Sequence, residues 1–225
     1  MKNFSGISRQ IIQRLPMYVS YLCTLPPEQE YVSASAIASS LHLNDVQVRK
    51  DLAAVSSWGR PKVGYPVVAL RRDLEDFLGY HDIDQAIIVG AGHLGRALLN
   101  YGGFKDYGLK ILAAFDIDDN IIGQEDGRIL PLSKLENFCK RLHPHIGIIT
   151  VPAQAAQSVC DLLVRCGIEA IWNFAPVHLR VDDKIFVTNE NMAVHLAVIS
   201  NYLRTSRPSS TELNEGEASE SDGGV

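Results

Sequence analysis

The six residues Gly90 to Gly95, GAGHLG, carry the sharpest chemical signal in the sequence. They match G-x-G-x-x-G, follow the apolar run Ala86–Val89 and open a segment of helical spacing. In that context each glycine has a reason. Gly90 permits a tight turn, Gly92 lets the backbone approach a pyrophosphate at a helix N-terminus, and Gly95 lets the helix pack close to the strand. Ala91, His93 and Leu94 complete the loop, with His93 placed for phosphate proximity rather than hydride chemistry. Asp116 lies 21 residues past Gly95, at the end of the next apolar run and just before Ile117. A carboxylate there accepts from ribose hydroxyls and repels a 2′-phosphate, which favours NAD(H) over its phosphorylated form. The bland alternative is a bare βα turn with Asp116 as a solvated strand end. The strand–loop–helix context argues against it.

A second constellation is basic. The formal net charge is −5, but one arginine stands against five acids in the last 21 residues, so the rest of the chain is near neutral. Between Asn44 and Arg72, six bases (Arg49, Lys50, Arg60, Lys62, Arg71, Arg72) face two acids (Asp45, Asp51). Clustered cations of this kind suit a phosphate backbone, while a solvated surface is the ordinary reading of the same residues.

No catalytic or metal constellation appears. His178 and His195 have no orienting carboxylate, and little chain remains for a substrate domain. Cys23, Cys139, Cys160 and Cys166 form no C-x-x-C pair and read as ordinary thiols. His143 and His145 lack a third ligand. No secretory signal or membrane-length apolar run is present, so a cytoplasmic location is expected.

These residues need elements to hold them. Ser5 or Ser8 opens a helix with Ile11, Ile12, Leu15, Val19 and Leu22 inward and a kink at Pro16. Ser33 caps a short helix containing Ile37 and Leu41. Asn44 or Asp45 caps a second, with Val46, Val48, Leu52 and Val55 inward and Gln47, Arg49, Lys50 and Asp51 outward. Two helices about a tight turn, the second basic, form a helix-turn-helix. The punctuated stretch SSWGRPKVGYPVVAL then makes a two-stranded wing, and LRRDLEDFLGY a linking helix.

From Asp84 onward apolar strands alternate with helices: His93–Tyr101, Leu109–Phe115, Leu132–Leu142, Ile146–Val151, Ala153–Cys166 and Ile168–Phe174. That is a parallel sheet covered on both faces. A small strand pair is expected at Leu179–Val181 and Ile185–Val187. The last helix, Asn191–Leu203, has little polar face and needs a cover, for which another subunit is the natural candidate. The expected class is α/β, with a winged-helix DNA-binding domain over residues 1–80 and a Rossmann domain over 81–188. A dimerisation helix over 189–204 and a disordered acidic tail over 205–225 complete it.

The sequence resembles the Rex family of redox-sensing repressors along nearly all of Ser5–Leu203. The stretches that carry the likeness are RLPMYVSYL (Arg14–Leu22), VSASAIASSLHL (Val32–Leu43), VRKDL (Val48–Leu52) and KVGYPV (Lys62–Val67). They continue with VGAGHLGRALLNYGGF (Val89–Phe104), AAFDID (Ala113–Asp118), VPAQAAQ (Val151–Gln157) and GIEAIWNFAPVHL (Gly167–Leu179). The resemblance implies a homodimer with a swapped C-terminal helix that binds a palindromic operator on double-stranded DNA and is released by NADH. It implies that Gln47, Arg49 and Lys50 face the major groove or its phosphates, with Arg60, Lys62 and Tyr65 in the wing. It implies a dinucleotide site lined by Thr150, Val151, Pro152, Asn173, Phe174, Ala175 and Pro176, with Phe174 close to the nicotinamide. Arg14, Tyr101 and Asn191 would belong to the redox-dependent dimer contacts. The chain is thus expected to be a regulator and no enzyme. An NAD-dependent oxidoreductase with a helical accessory domain, or a sensor of another nucleotide such as CoA, are the alternatives.

Two departures from the family pattern stand out. In place of a Phe-Gly-x-Phe-Gly run the chain has Val55-Ser56-Ser57-Trp58-Gly59. Where the family commonly has an aspartate at the start of the closing helix, it has Asn191, which cannot supply a carboxylate's charge.

Overall fold

A computed structural model describes residues 8–206. The candidate cap Ser5 and most of the acidic tail, residues 207–225, lie outside the described residues.

Helix α1 (Arg9–Cys23) buries Leu15, Tyr18, Val19 and Leu22 along one stripe and runs unbroken through Pro16. Ser8 takes its N-cap position without a side-chain capping bond. A two-residue strand β1 (Tyr31–Val32) follows, then α2 (Ala34–Ser40) and α3 (Asp45–Val55). Both caps are made by the expected residues. Ser33 Oγ accepts from the Ala36 N–H at 3.0 Å, and Asn44 Oδ1 accepts from the Gln47 N–H at 3.1 Å. Strand β2 (Tyr65–Pro66) pairs antiparallel with β1. Helix α4 (Val67–Leu78) ends at Gly79, whose φ of 74° forms a left-handed stop.

The wing differs from the sequence expectation. Val67–Leu70 begin α4 instead of continuing a strand, because Leu70 and Leu74 are needed in the core against α1. The strand partner of Tyr65 comes from Val32, ahead of α2. What remains of the wing is a tight turn closed by mutual backbone bonds between Arg60 and Gly64 at 2.9 and 3.0 Å.

The rest of the chain is a six-stranded parallel sheet in the order β5-β4-β3-β6-β7-β8. Its strands are β3 (Asp84–Val89), β4 (Leu109–Asp116), β5 (Ile129–Pro131), β6 (Ile146–Ile149), β7 (Ala170–Asn173) and β8 (Phe186–Asn189). Helix α5 (His93–Asn100) covers one face, where Ala86, Ile88, Ala114 and Ile148 meet Leu98 and Leu99. A single turn, α6 (Gln124–Gly127), precedes β5. Helices α7 (Leu135–Leu142) and α8 (Ala153–Arg165) cover the other face. There Ile87, Val89, Phe115 and Ile149 pack on Leu135, Cys139, Val159 and Leu163. Leu179–Val181 forms no strand. Among the described residues the one strand after β7 is β8, which extends the sheet in parallel instead of pairing in a small hairpin.

Helix α9 (Met192–Ser206) closes the described chain and continues past the expected tail boundary at Thr205. Val194, Leu196, Val198, Ile199 and Tyr202 are all more than half exposed in the single chain. Among the described residues no helix is long and apolar enough to cross a membrane.

Candidate functional site

Strands β3, β4 and β6 end side by side, so the loops that follow them converge. The strand order reverses between β4 and β6, on either side of β3, and crevices at such switch points are where open α/β sheets bind ligands. Gly90 has a φ of 102° and donates its N–H to the Phe115 carbonyl at 2.8 Å. A Cβ on Gly90 would stand 2.8 Å from the Thr150 carbonyl carbon, and one on Gly95 would collide with the Gly90 carbonyl. Gly92 has open space around its missing Cβ and takes the N-cap position of α5 with no side-chain cap. The first N–H groups of α5 are thus free to meet an anion, which the helix dipole favours.

Asp116 is committed to the loop as well as facing it. Its Oδ2 accepts from the Ala91 N–H at 2.5 Å, and its Oδ1 from the Ile117 and Asp118 N–H groups at 2.7 and 3.0 Å. Thr150 Oγ1 donates to the Gly90 carbonyl at 2.6 Å. A cleft of about 650 Å³ opens over this frame, lined by Gly90, Gly92, Asp116, Ile117, Thr150, Val151 and Pro152 among others. Its volume suits a small-molecule ligand. The glycine cradle, the uncapped helix end and the carboxylate at the end of β4 together fit a dinucleotide.

The remaining candidate residues are distributed unevenly. His93 and Leu94 begin α5, behind Gly92. Asn173 and Ala175 are buried and pack the loop after β7. Asn173 Nδ2 donates to the Val177 carbonyl at 2.9 Å and to Asn189 Oδ1 at 2.8 Å, while its Oδ1 accepts from the Ala175 N–H. Phe174 and Pro176 remain on the outside of that loop. Phe174 is half-buried and its ring lies 4.7 Å from that of Trp172.

On the N-terminal domain, Arg49 and Lys50 are exposed on α3, and Arg60 and Lys62 are exposed at the tip of the wing turn. Arg49 is tethered to Asp45 one turn earlier, at 2.6 Å. Tyr65 lines the cleft between α3 and the wing turn together with Arg49, Arg60 and Lys62. It is 8 % exposed, and its ring packs in the domain core under Gly59. Two side chains of α3 also exchange places with expectation. Val46 is 57 % exposed and Asp51 is 2 % exposed.

Asp51 is buried because α1 supplies its partners. Arg14 Nε and Nη2 donate to its two oxygens at 2.8 and 3.0 Å, and the Tyr18 hydroxyl donates to Oδ2 at 2.7 Å. The hydrogen bond to Asp51 raises the Arg14 pKa further, and burial, with Asp51 adding to it, pushes the Tyr18 phenol up to about 12. With the Gln47 amide turned to suit its neighbours, its oxygen also accepts from Arg14 at 3.0 and 3.1 Å. Arg14, expected in the redox-dependent contacts, is thus engaged within its own chain. Tyr101 packs edge-on to Phe104, and Asn191 Oδ1 accepts from the Val194 N–H at 3.3 Å in the first turn of α9. Sequence reasoning missed the Arg14–Tyr18–Asp51 cluster, since nothing in the local pattern sets Asp51 apart from the bases beside it.

Among the described residues no group of three or more His, Cys, Asp or Glu could hold a metal. Burial pushes the Cys139 thiol up to about 12 and the Cys160 thiol up to about 11, which keeps both protonated and unreactive.

Comparison with known proteins covers both domains. A family model described as a CoA binding domain matches residues 81–177, and one described as a putative DNA-binding protein N-terminus matches residues 6–53. The redox-sensing transcriptional repressor Rex of Treponema denticola is 39% identical over 87% of this chain and 95% of its own length. That of Syntrophomonas wolfei is 43% identical over 90% of this chain and 98% of its own. The crystal structure of RSP in complex with beta-NAD+ and operator DNA superposes with a TM-score of 0.83 at 33% identity, covering 89% of this chain and 94% of that one. RSP in complex with beta-NADH gives 0.80 at 32% identity, covering 89% and 96%. The glycine cradle and the basic helix thus sit in one chain that matches such relatives almost from end to end, and the chain belongs to the Rex family of redox-sensing transcriptional repressors.

Proposed function

We propose that this protein binds operator DNA as a homodimer and leaves it when NADH occupies the cleft above β3 and β4. The observation that carries the reading is the pairing of two sites in one chain: an uncapped, glycine-cradled helix end at Gly92 and an exposed basic face on α3. RSP has been crystallised with NAD+ together with operator DNA, and with NADH. NAD(H) would be held at Gly90, Ala91, Gly92 and the first turn of α5, with Asp116 and Ile117 on the ribose side. The Thr150–Pro152 wall and Phe174 would meet the far half of the ligand. Gln47, Arg49 and Lys50 would meet the major groove, with Arg60 and Lys62 on the backbone beside it. Residues 1–80 would read DNA and 81–188 hold the nucleotide. Helix α9 would join two copies in the cytoplasm. The protein would regulate and carry out no turnover.

A ligand with equal affinity for both states of the protein shifts nothing, so NADH must favour the released state. The test is a gel-shift titration on a duplex that the protein itself selects from a random library. NADH is expected to release the duplex at concentrations where NAD+ leaves it bound. Equal effects of the two nucleotides would refute redox sensing. The match to a CoA binding domain favours a second reading, a CoA-gated repressor. Competition calorimetry of CoA against NADH separates the two, and displacement of NADH by equimolar CoA would favour the second.

A further inference from the structure

Helices α7 and α8 both start at the cleft over Gly90 and Gly92, and both lead to the same pair of thiols. Leu132, just ahead of α7, lines the cleft, as do Pro152, Ala155, Ser158 and Val159 at the start of α8. Cys139 lies in the second half of α7, and Cys166 takes the C-cap position of α8. The two side chains are hydrogen-bonded to each other at the edge of the core that both helices cover. Cys139 is buried, Cys166 is half-buried, and neither is in a disulfide. Cys160, also on α8, takes no part in the pair: its thiol feels burial and Asp161. The two thiols of the pair are not equivalent. Burial pushes both up, Cys139 to about 12. At Cys166 the hydrogen bond from Cys139 and the cations Arg165 and Lys140 work against that rise, while Glu136 adds to it. The anion is thus better supported at Cys166, which is also the thiol partly open to solvent.

We propose that Cys139 and Cys166 are a redox-active dithiol that hydrogen peroxide closes into a disulfide, a modification site separate from the cleft and independent of any bound nucleotide. The Cys166 sulfur, as thiolate, attacks one peroxide oxygen. The O–O bond breaks, and the leaving hydroxide takes up the proton that the thiol gave off, as water. Cys166 is then a sulfenic acid. The Cys139 sulfur attacks it, the S–S bond forms and the S–O bond breaks. The second hydroxide leaves with the Cys139 proton, again as water. Two thiols are oxidised by two electrons, and one peroxide is reduced to two waters. Cys139 is closed to solutes, and the one electrophile within its reach is the sulfur already beside it. A sulfenic acid is neutral, so the negative charge at Cys166 that helps to hold the Cys139 proton is gone at this step. The new bond ties together the far parts of two helices whose near ends wall the cleft.

The experiment treats the full chain with millimolar hydrogen peroxide and blocks the remaining thiols after unfolding. The tryptic peptides are then mapped by mass spectrometry. The expected product joins the peptide Leu135–Lys140 to the peptide Cys166–Arg180, and dithiothreitol separates them again. The closed form should melt higher than the reduced one by roughly 5 to 15 °C, the usual effect of a disulfide in a chain of this size. Cys166→Ala should leave Cys139 reduced at the same dose. Cys139→Ala should leave Cys166 as a sulfenic acid that dimedone traps. The wild-type peptide map decides the matter even where a variant fails to fold. Oxidation confined to the exposed Cys23 overturns the proposal. So does a Cys166 carried on to sulfinic acid beside a free Cys139, or a closed form that melts lower than the reduced protein. An adduct on Cys139 in the Cys166→Ala chain overturns the order of attack and the proposal with it.

Discussion

Asp116 is a carboxylate with three backbone donors on two oxygens, and it stitches the end of β4 to the glycine loop after β3. Its position beside the glycine turn therefore follows from the loop's own hydrogen bonding. Gly95 is the stricter of the two residues. Any Cβ there drives into the Gly90 carbonyl, which is backbone and has nowhere to go while Thr150 holds it. Gly95→Ala should leave operator binding in place and weaken NADH binding at least tenfold by isothermal calorimetry, because the loop must open to admit the methyl group. Wild-type NADH affinity in that variant would mean that the loop does not hold the pyrophosphate.

Helix α3 shows how an element is given one buried face and one basic face. Its N-terminus is closed by Asn44, and its inner side is fixed by Val48 and Leu52 in the core and by Asp51 on Arg14 and Tyr18 of α1. Arg49, Lys50 and Val46 are left outward, so the helix presents two cations and an apolar patch suited to a thymine methyl. Asp51→Ala leaves the Arg14 guanidinium and the Tyr18 hydroxyl without their acceptor. It should cost about 3 kcal/mol of stability in urea unfolding, since breaking a buried pair strands a charge. Asn44→Ala should cost about 1 kcal/mol, the usual worth of a cap. A smaller loss from Asp51→Ala than from Asn44→Ala would contradict the anchoring role.

At the scale of the whole molecule, the exposed apolar side chains of α9 are the largest departure from a self-sufficient chain. Contiguous patches of this kind mark interaction surfaces. Ile199→Asp places a charge in the middle of the helix. It should turn a dimer into a monomer in sedimentation equilibrium and with it abolish high-affinity operator binding, while NADH binding persists. Dimeric Ile199→Asp protein would place the interface elsewhere. The buried acids define a second global property. Tyr18 and Tyr80 are pushed up from 10.0 to about 12, Cys139 from 9.0 to about 12 and Cys160 from 9.0 to about 11, all chiefly by burial. The folded state then holds these protons more tightly than the unfolded chain does. Their contribution to stability is complete only well below pH 9, from about pH 8 down, and is lost as pH climbs through 9 toward 12. The urea midpoint should fall between pH 8 and pH 10.5, and a constant midpoint would contradict the burial of these groups.

Local signals in the sequence determined a good deal of this protein. GAGHLG and Asp116 were readable because a phosphate-ready turn needs glycines at fixed offsets and a carboxylate at the next strand end. The caps Ser33 and Asn44 were readable because capping is a contact between near neighbours. The parallel sheet was readable from apolar strands alternating with helices. Only the tertiary structure decided which face of α3 is buried. Asp51 goes inward and Val46 outward because Arg14 and Tyr18, more than thirty residues earlier, form a polar slot on α1. The same holds for Tyr65 in the core, for β2 pairing with β1, and for the Trp172–Glu190 bond that reaches α9. Each depends on a partner distant in sequence, and helical or strand periodicity carries no information about which distant group will fill a neighbouring space.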